Sequence, residues 1–364
     1  MGDFRKVHGR VLNFRDAGPP SHSQTRFRKK APKTNRTMST TRNGLIVAVL
    51  CALSISCWWV ISEYRRDLGL AHERVSVGSV VQTPCGQIEY ASSGDGPPVL
   101  VVHGAGGGFD QGMAFAQPLV AQGFRVVAMS RFGYLRTPLP NDASAEAQAD
   151  AHACLLDALK IARTAVVGAS AGAPSSMQFA LRHPKRCAAL VLLVPAAYVP
   201  RESNGPSLNA PAMTQVLFDT ALRFDFIYWS ATRVARNALV RGLLATPPEV
   251  VEQADASERA RVVDIVDQIM PISPRRRGLV NDGRVVSSLP RYELERIAAP
   301  TLLVSVADDL YGTYDAARYS AQHIPGARFA GYDEGGHVWV GHQDDVMSRI
   351  GSFLQSSSGG ASAH

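Results

Sequence analysis

Cysteine is scarce in this chain of 364 residues: there are five, at positions 51, 57, 85, 154 and 187, and no CxxC spacing. That pattern supports neither a zinc site nor a disulfide framework. Two of the five lie in an apolar run near the start, and the odd remainder, Cys85, Cys154 and Cys187, is expected to be buried free thiols. The chain also lacks GxxxxGK[ST] and the acidic residue that follows a dinucleotide-binding turn, so its Gly-rich loops have no phosphate-cradling signature. No internal repeat is present. The body of the chain lacks excess charge as well. The formal net charge is +7, but residues 1–42 hold 11 of the 38 Lys and Arg and 2 of the 31 Asp and Glu. The remaining 27 basic and 29 acidic side chains leave −2. A near-neutral body offers no electrostatic footprint for nucleic acid, and none is expected as a partner.

The basic segment 1–42 is rich in Ser, Thr and Pro and poor in large apolar residues, the composition of a disordered tail. Met38 opens MSTTRNGLIVAVL, which reads as a start in its own right, so residues 1–37 are expected to be an over-extended gene start. Residues 44–62, GLIVAVLCALSISCWWVIS, carry no charge over 19 positions. As a helix they span roughly 28 Å, close to the hydrocarbon thickness of a bilayer. Trp58 and Trp59 suit its interfacial belt. A cleaved signal peptide is the alternative, and no cleavage site is read within the segment itself. The reading is a signal anchor over 43–63, with a membrane as partner and the bulk of the protein outside the cytoplasm, periplasmic or extracellular. Arg65 and Arg66 on the far side oppose that charge bias. Residues 64–77 read as a linker.

From residue 78 the pattern becomes strand, turn, helix, repeated. RVSVGSVVQTPCGQIEYASSG forms a hairpin, and PPVLVVHG, FRVVAMS, TAVVGAS, CAALVLLVPA, APTLLVSVADD and ARFAGYDEGGH are apolar runs of buried-strand type. Helical stretches separate them, and DVMSRIGSFLQS closes the body. This implies a mostly parallel sheet with helices on both faces. Its core divides into 78–200 and 291–355. Residues 201–290 break the rhythm as a helical cap, and 356–364 form a flexible tail.

VVGASAGA, residues 166–173, places G-x-S-x-G between a buried strand and a helix, the arrangement of a nucleophile elbow. Gly168 and Gly172 keep bulk away from the turn, and Ser170 is exposed at the C-terminal end of the sheet. A serine hydroxyl needs a base oriented by an acid. His337 follows the last strand in a Gly-rich turn. The strand before the cap offers no carboxylate, so the acid falls at the end of VSVADD: Asp309, with Asp308 one residue away in register and otherwise a water-exposed turn residue. Oxyanion donors are expected from the N–H groups of Ala171 and of the HGAGGG loop, Ala105 first and Gly106 second. His103 props that loop. No metal and no cofactor are expected.

HGAGGG (103–108), SRFGYLRTP (130–138), GASAG (168–172), PTLLVSVADD (300–309) and GGHVWVGH (335–342) together resemble the α/β-hydrolase superfamily over residues 78 to 355. The likeness is greatest to its lidded branch of esterases, meta-cleavage product hydrolases and haloperoxidase-like enzymes. It implies an α/β-hydrolase fold with a helical cap, and it favours the second Asp of the terminal pair, Asp309, as the triad acid. The superfamily often has Gly where this chain has Val306, which loosens that register. Ser170 argues against the branch members with an Asp nucleophile. The implied activity is hydrolysis of a carboxylic ester or related acyl substrate through an acyl-enzyme. The alternatives are C–C hydrolysis of a diketone acid, acyl transfer, and a binding module without catalysis. Arg223, Arg233 and Arg275 to Arg277 are the cap cations a diketone acid would need. Phe224, Phe226, Ile227, Tyr228 and Trp229 are expected to pack cap on core, or else to line an apolar pocket. Oligomeric state is not legible in the sequence, nor is what Arg131 and Arg136 bind.

Overall fold

Residues 36–200 and 222–359 are described in the computed structural model of the chain. The chain divides after Trp58 into two compact units. The first holds most of the apolar run, which lies in helix α1 (Arg36–Ser76). From Arg42 onward this helix is long and apolar enough to cross a membrane. Within the first unit Leu45, Ile46, Leu50, Leu53 and Ile55 are all exposed.

The second unit is built on eight strands: β1 (Ser79–Thr83), β2 (Gly86–Ser93), β3 (Pro98–Val102), β4 (Arg125–Met129), β5 (Thr164–Ala169), β6 (Cys187–Leu193), β7 (Thr301–Val306) and β8 (Arg328–Tyr332). They form one sheet in the order β1-β2-β4-β3-β5-β6-β7-β8. The first two pairings are antiparallel and the rest parallel. The helices of the core are α2 (Phe109–Ala121), α3 (Ala145–Ala158), α4 (Ala173–Arg182), α10 (Thr313–His323) and α11 (Gln343–Gly359).

Strand alternation sorts the core into two layers. Leu100 and Val102 of β3 face a cluster with Leu155 of α3, Met177 of α4 and Ala317 of α10. Val99 and Val101 face Phe109 and Leu119 of α2 and Ile350 of α11. Both faces are therefore apolar, which is why the parallel strands read as continuous hydrophobic runs rather than alternating ones.

The insertion between β6 and β7 is helical, as expected: α5 (Asp225–Val234), α6 (Arg236–Gly242), α7 (Pro248–Gln253), α8 (Ala256–Gln268) and α9 (Arg276–Ser287), with a 3-10 turn at Ser273–Arg275. Its expected first part, residues 201–221, lies outside the described residues. A third cluster joins α5, α6 and α8 to Tyr134 and Val338 of the core and to Ala71 of α1.

Four expectations are corrected. The segment read as a linker, 64–77, is helical to Ser76, and its Tyr64 packs edge-on against Phe226 and Trp229. Residues 36–42 of the basic tail are helical, and the rest of that tail lies outside the described residues. Residues 356–359 of the C-terminal tail continue α11, with 360–364 likewise outside. Cys85 and Cys154 are not free thiols: they form a disulfide across 69 residues, tying the β1–β2 turn to α3. Cys187 is a buried free thiol, pushed up to about 12 by burial.

Candidate active site

Ser170 stands where β5 turns into α4, at the C-terminal end of the sheet. Its φ of 49° lies in the left-handed region, a strained conformation for a residue with a side chain. The flanking glycines allow it. A Cβ on Gly168 would lie 2.3 Å from Ser176 Oγ of α4, and one on Gly172 would lie 2.5 Å from the carbonyl oxygen of Val102. The G-x-S-x-G spacing is therefore a steric requirement of strand, helix and neighbouring strand meeting at one turn.

His337 reaches Ser170 from the loop after β8, in a 3-10 turn at Gly336–Val338. Its Nε2 is 2.8 Å from Ser170 Oγ, and its Nδ1 is 2.8 Å from Asp309 Oδ2. A carboxylate only accepts hydrogen bonds, so Nδ1 carries the proton and Nε2 accepts from the Ser170 hydroxyl. Asp309 is buried at 5% exposure, and Ser170 is half-buried. The Asp309 carboxylate also accepts from Thr313 Oγ1 and from the Tyr311 N–H, at 2.9 Å for the latter. The Tyr311 ring lies edge-on to the imidazole, centroids 5.0 Å apart.

Asp308 is not the water-exposed turn residue expected. It is part-buried and accepts the backbone N–H groups of Gly336 at 2.6 Å and Gly335 at 3.2 Å. Both glycines have positive φ, 62° and 136°, so the loop that aims His337 is a sharp turn gripped by the neighbouring carboxylate.

Gly104 of the HGAGGG loop lies against the serine: a Cβ there would be 3.2 Å from Ser170 Cβ. Ala105 is exposed at the rim, and Ala171 is buried next to the serine. The N–H of Gly106, the second oxyanion choice, donates to Tyr134 Oη at 3.2 Å. His103 props the loop as expected. It is fully buried, its Nδ1 lies 2.7 Å from the Gly104 carbonyl, and its Nε2 accepts the Arg131 N–H at 3.0 Å. Burial, then the nearby Arg131 charge, holds its pKa well below the ordinary imidazole value, so it stays neutral.

The arginines left open by the sequence are internal ties. Arg131 pairs with Asp282 of α9 at 2.6 Å, and Arg136 with the buried Glu89 at 2.6 Å. Arg275 is fully buried and bonded to Asp110 and the Gly107 carbonyl. Arg233 pairs with Asp67 of α1. The aromatic group of α5 does not turn to the serine either. Trp229 Nε1 donates to Asp67 at 2.9 Å and Tyr228 Oη to the Val266 carbonyl at 2.7 Å, while Phe224, Phe226 and Ile227 are exposed. Thr313, Tyr134 and Asp282 were not singled out from the sequence: Thr313 and Asp282 stand apart from every motif, and Tyr134, though inside SRFGYLRTP, gains its role only when the chain is folded. Among the described residues no group of three or more His, Cys, Asp and Glu is placed to hold a metal ion.

Comparison with known proteins agrees with this architecture. Residues 97–340 match the family model described as alpha/beta hydrolase fold. A 2-hydroxy-6-oxononadienedioate/2-hydroxy-6-oxononatrienedioate hydrolase of Paraburkholderia xenovorans is 27% identical over 281 residues, 74% of this chain and 90% of that protein. Lipase 3 of a Moraxella species is 24% identical over 294 residues, 79% of this chain and 85% of the lipase. Among solved structures, an alpha/beta hydrolase fold protein from Nakamurella multipartita superposes with a TM-score of 0.61 at 30% identity, covering 76% of this chain and 98% of that one. The family match spans two thirds of the chain and includes the serine turn, the carboxylate pair and the histidine: this chain belongs to the α/β-hydrolase fold family of hydrolases.

Proposed function

We propose that the chain is a serine hydrolase of carboxylic esters or related acyl compounds, with Ser170, His337 and Asp309 as its triad. The observation that carries this reading is the continuous chain of two 2.8 Å contacts from Ser170 Oγ through His337 to Asp309. In the proposed mechanism His337 Nε2 takes the Ser170 proton as Oγ attacks the carbonyl, and Asp309 stabilises the imidazolium. The oxyanion is received by the N–H groups of Ala105 and Ala171. Among the described residues the Ala105 N–H has no other partner. Collapse of the tetrahedral intermediate expels the alcohol, protonated by His337, and leaves an acyl-Ser170. Water, deprotonated by the same imidazole, then releases the acid.

A second reading, C–C hydrolysis, is favoured by the name of the Paraburkholderia relative. A dioate substrate needs a cation for its carboxylate. Two of the expected cap cations, Arg275 and Arg233, are already paired with Asp110 and Asp67, which weighs toward the ester. The second unit is proposed to lie outside the cytoplasm, anchored by residues 43–63; the disulfide of Cys85 and Cys154 supports this, since such bonds persist in oxidising compartments.

The test is hydrolysis of p-nitrophenyl esters, acetyl to palmitoyl, by the detergent-solubilised full chain and its Ser170→Ala variant. Turnover is expected to drop by roughly 10⁴-fold or more in the variant. Equal rates in both proteins would sink the reading.

A further inference from the structure

The loop that would receive the oxyanion, residues 103–107, is held largely by two residues that reach it from the SRFGYLRTP segment. Arg131 donates from Nε to the His103 carbonyl at 2.8 Å and from Nη2 to the Gly104 carbonyl at 3.1 Å. Tyr134 Oη accepts the Gly106 N–H at 3.2 Å. Both residues are in turn bound to one carboxylate. Asp282 of α9 takes Arg131 through two bonds, 2.6 and 2.7 Å, and accepts the Tyr134 hydroxyl at 2.5 Å. Arg131, Tyr134 and Asp282 are 5%, 0% and 6% exposed.

This junction is built for close approach. A Cβ on Gly278 would stand 2.1 Å from the Tyr134 ring, so α9 lies directly on the tyrosine only because residue 278 has no side chain. The Gly278 N–H donates to the Gly133 carbonyl at 2.9 Å, and the Leu135 N–H to the Pro274 carbonyl at 3.0 Å, stitching the segment to the insertion. From the other side, Arg275 donates to the Gly107 carbonyl at 2.6 Å. Desolvating an ion pair so completely contributes little stability compared with an apolar contact of the same volume, whereas its geometry is sharply defined.

The consequence falls on two successive peptide units, Gly104–Ala105, held at its carbonyl by Arg131, and Ala105–Gly106, held at its N–H by Tyr134. Gly106 has a positive φ of 75°, and its N–H is fixed by Tyr134, so the adjoining Ala105 peptide cannot swing freely. We propose that Asp282 is a positioning residue of the oxyanion site: through Tyr134 and Arg131 it holds the 103–107 loop so that the Ala105 N–H faces the Ser170 adduct. Rotation of the Gly104–Ala105 peptide, whose carbonyl Arg131 holds and whose neighbour Tyr134 holds, would disarm the oxyanion site and leave the Ser170–His337–Asp309 contacts in place. The insertion thereby completes the catalytic geometry as well as covering it. This rests on the serine-hydrolase reading above.

The experiment uses the full chain in detergent, Tyr134→Phe, Asp282→Asn and the double variant. It reads kcat and KM on the best p-nitrophenyl ester, the inhibition constant of an alkyl trifluoromethyl ketone, and the thermal midpoint. The ketone forms a tetrahedral adduct with the serine and places an oxyanion where the substrate does. Tyr134→Phe removes one hydroxyl and is expected to lower kcat by about 10- to 100-fold with KM within about threefold. Ketone affinity should weaken by the same factor as kcat/KM. Asp282→Asn should act in the same direction, and the double variant should fall well short of the product of the two losses. An unchanged kcat in a folded Tyr134→Phe, a change confined to KM, or ketone affinity that stays at the wild-type value would each overturn the proposal. Absence of Ser170-dependent turnover in the wild type would instead overturn the hydrolase reading, and this proposal with it.

Discussion

Asp308 and Asp309 are adjacent and chemically identical, and the fold gives them different tasks. Asp309 holds the imidazole, while Asp308 holds the backbone of the loop that carries it. Asp309→Asn puts an amide against Nδ1 and favours the wrong tautomer, so kcat is expected to fall by about 10⁴-fold. Asp308→Asn keeps an acceptor oxygen for the Gly336 N–H but loses the charge and the second oxygen that accepts the Gly335 N–H, so about a 3- to 10-fold loss is expected, with a lower thermal midpoint. Steady-state kinetics on one ester decides; equal losses in the two variants would remove the distinction. The sequence placed the acid at the end of the strand ending VSVADD because chain order and strand position are local facts. The role of Asp308 was illegible there, since its partners lie 27 and 28 residues away in a turn whose shape exists only in the fold.

Among the elements, the end of α1 departs most from expectation. SEYRRDLGLAHERVS is polar enough to pass for a linker, yet Tyr64, Asp67, Ala71 and Arg74 fall three or four apart, on one helical face. That face meets the insertion: Tyr64 on Phe226 and Trp229, Asp67 on Trp229 and Arg233, Arg74 on the carbonyls of Gln268 and Met270. The strands of the core were legible because burial on both faces makes each a continuous apolar run. This helix was not, because its partner is a mixed polar and aromatic surface that pairs charge with charge. Burial pushes the Asp67 carboxyl up, but the Trp229 N–H and the Arg233 guanidinium outweigh it and hold the carboxyl below its ordinary value. A depressed folded-state pKa means this stabilisation is complete above the unfolded carboxylate pKa of about 4 and is lost as pH falls through the folded one. Asp67→Asn should therefore lower the thermal midpoint at pH 7 and narrow the gap to wild type below about pH 4. A constant gap across that range would show that the carboxylate charge contributes nothing to the tie.

At the scale of the whole molecule, the disulfide connects fold to compartment. Cys85 sits at the β1–β2 turn and Cys154 in α3, and the bond closes a loop over 69 residues. An odd number of cysteines spread along the chain could not announce the pair; only the docking of the antiparallel hairpin beside α3 brings the two together. Closing a loop of that length restricts the unfolded chain, and removing such a bond typically costs about 2–5 kcal/mol. Native protein extracted from membranes and alkylated before reduction should therefore carry two labels, on Cys51 and Cys57, three once it is unfolded without reduction, and five only after reduction and unfolding. Cys187 adds a timing check: it is buried with its thiol pushed up to about 12, so it should label only once the protein is unfolded. A version lacking residues 1–58, made in a reducing cytosol and then unfolded, should yield all five minus the two in the removed segment, three labels without prior reduction, and unfold at a lower temperature than the same polypeptide oxidised. Five labels on membrane-extracted protein unfolded without reduction would mean that the pair stays reduced where the enzyme lives, and the second unit would then belong on the cytoplasmic side.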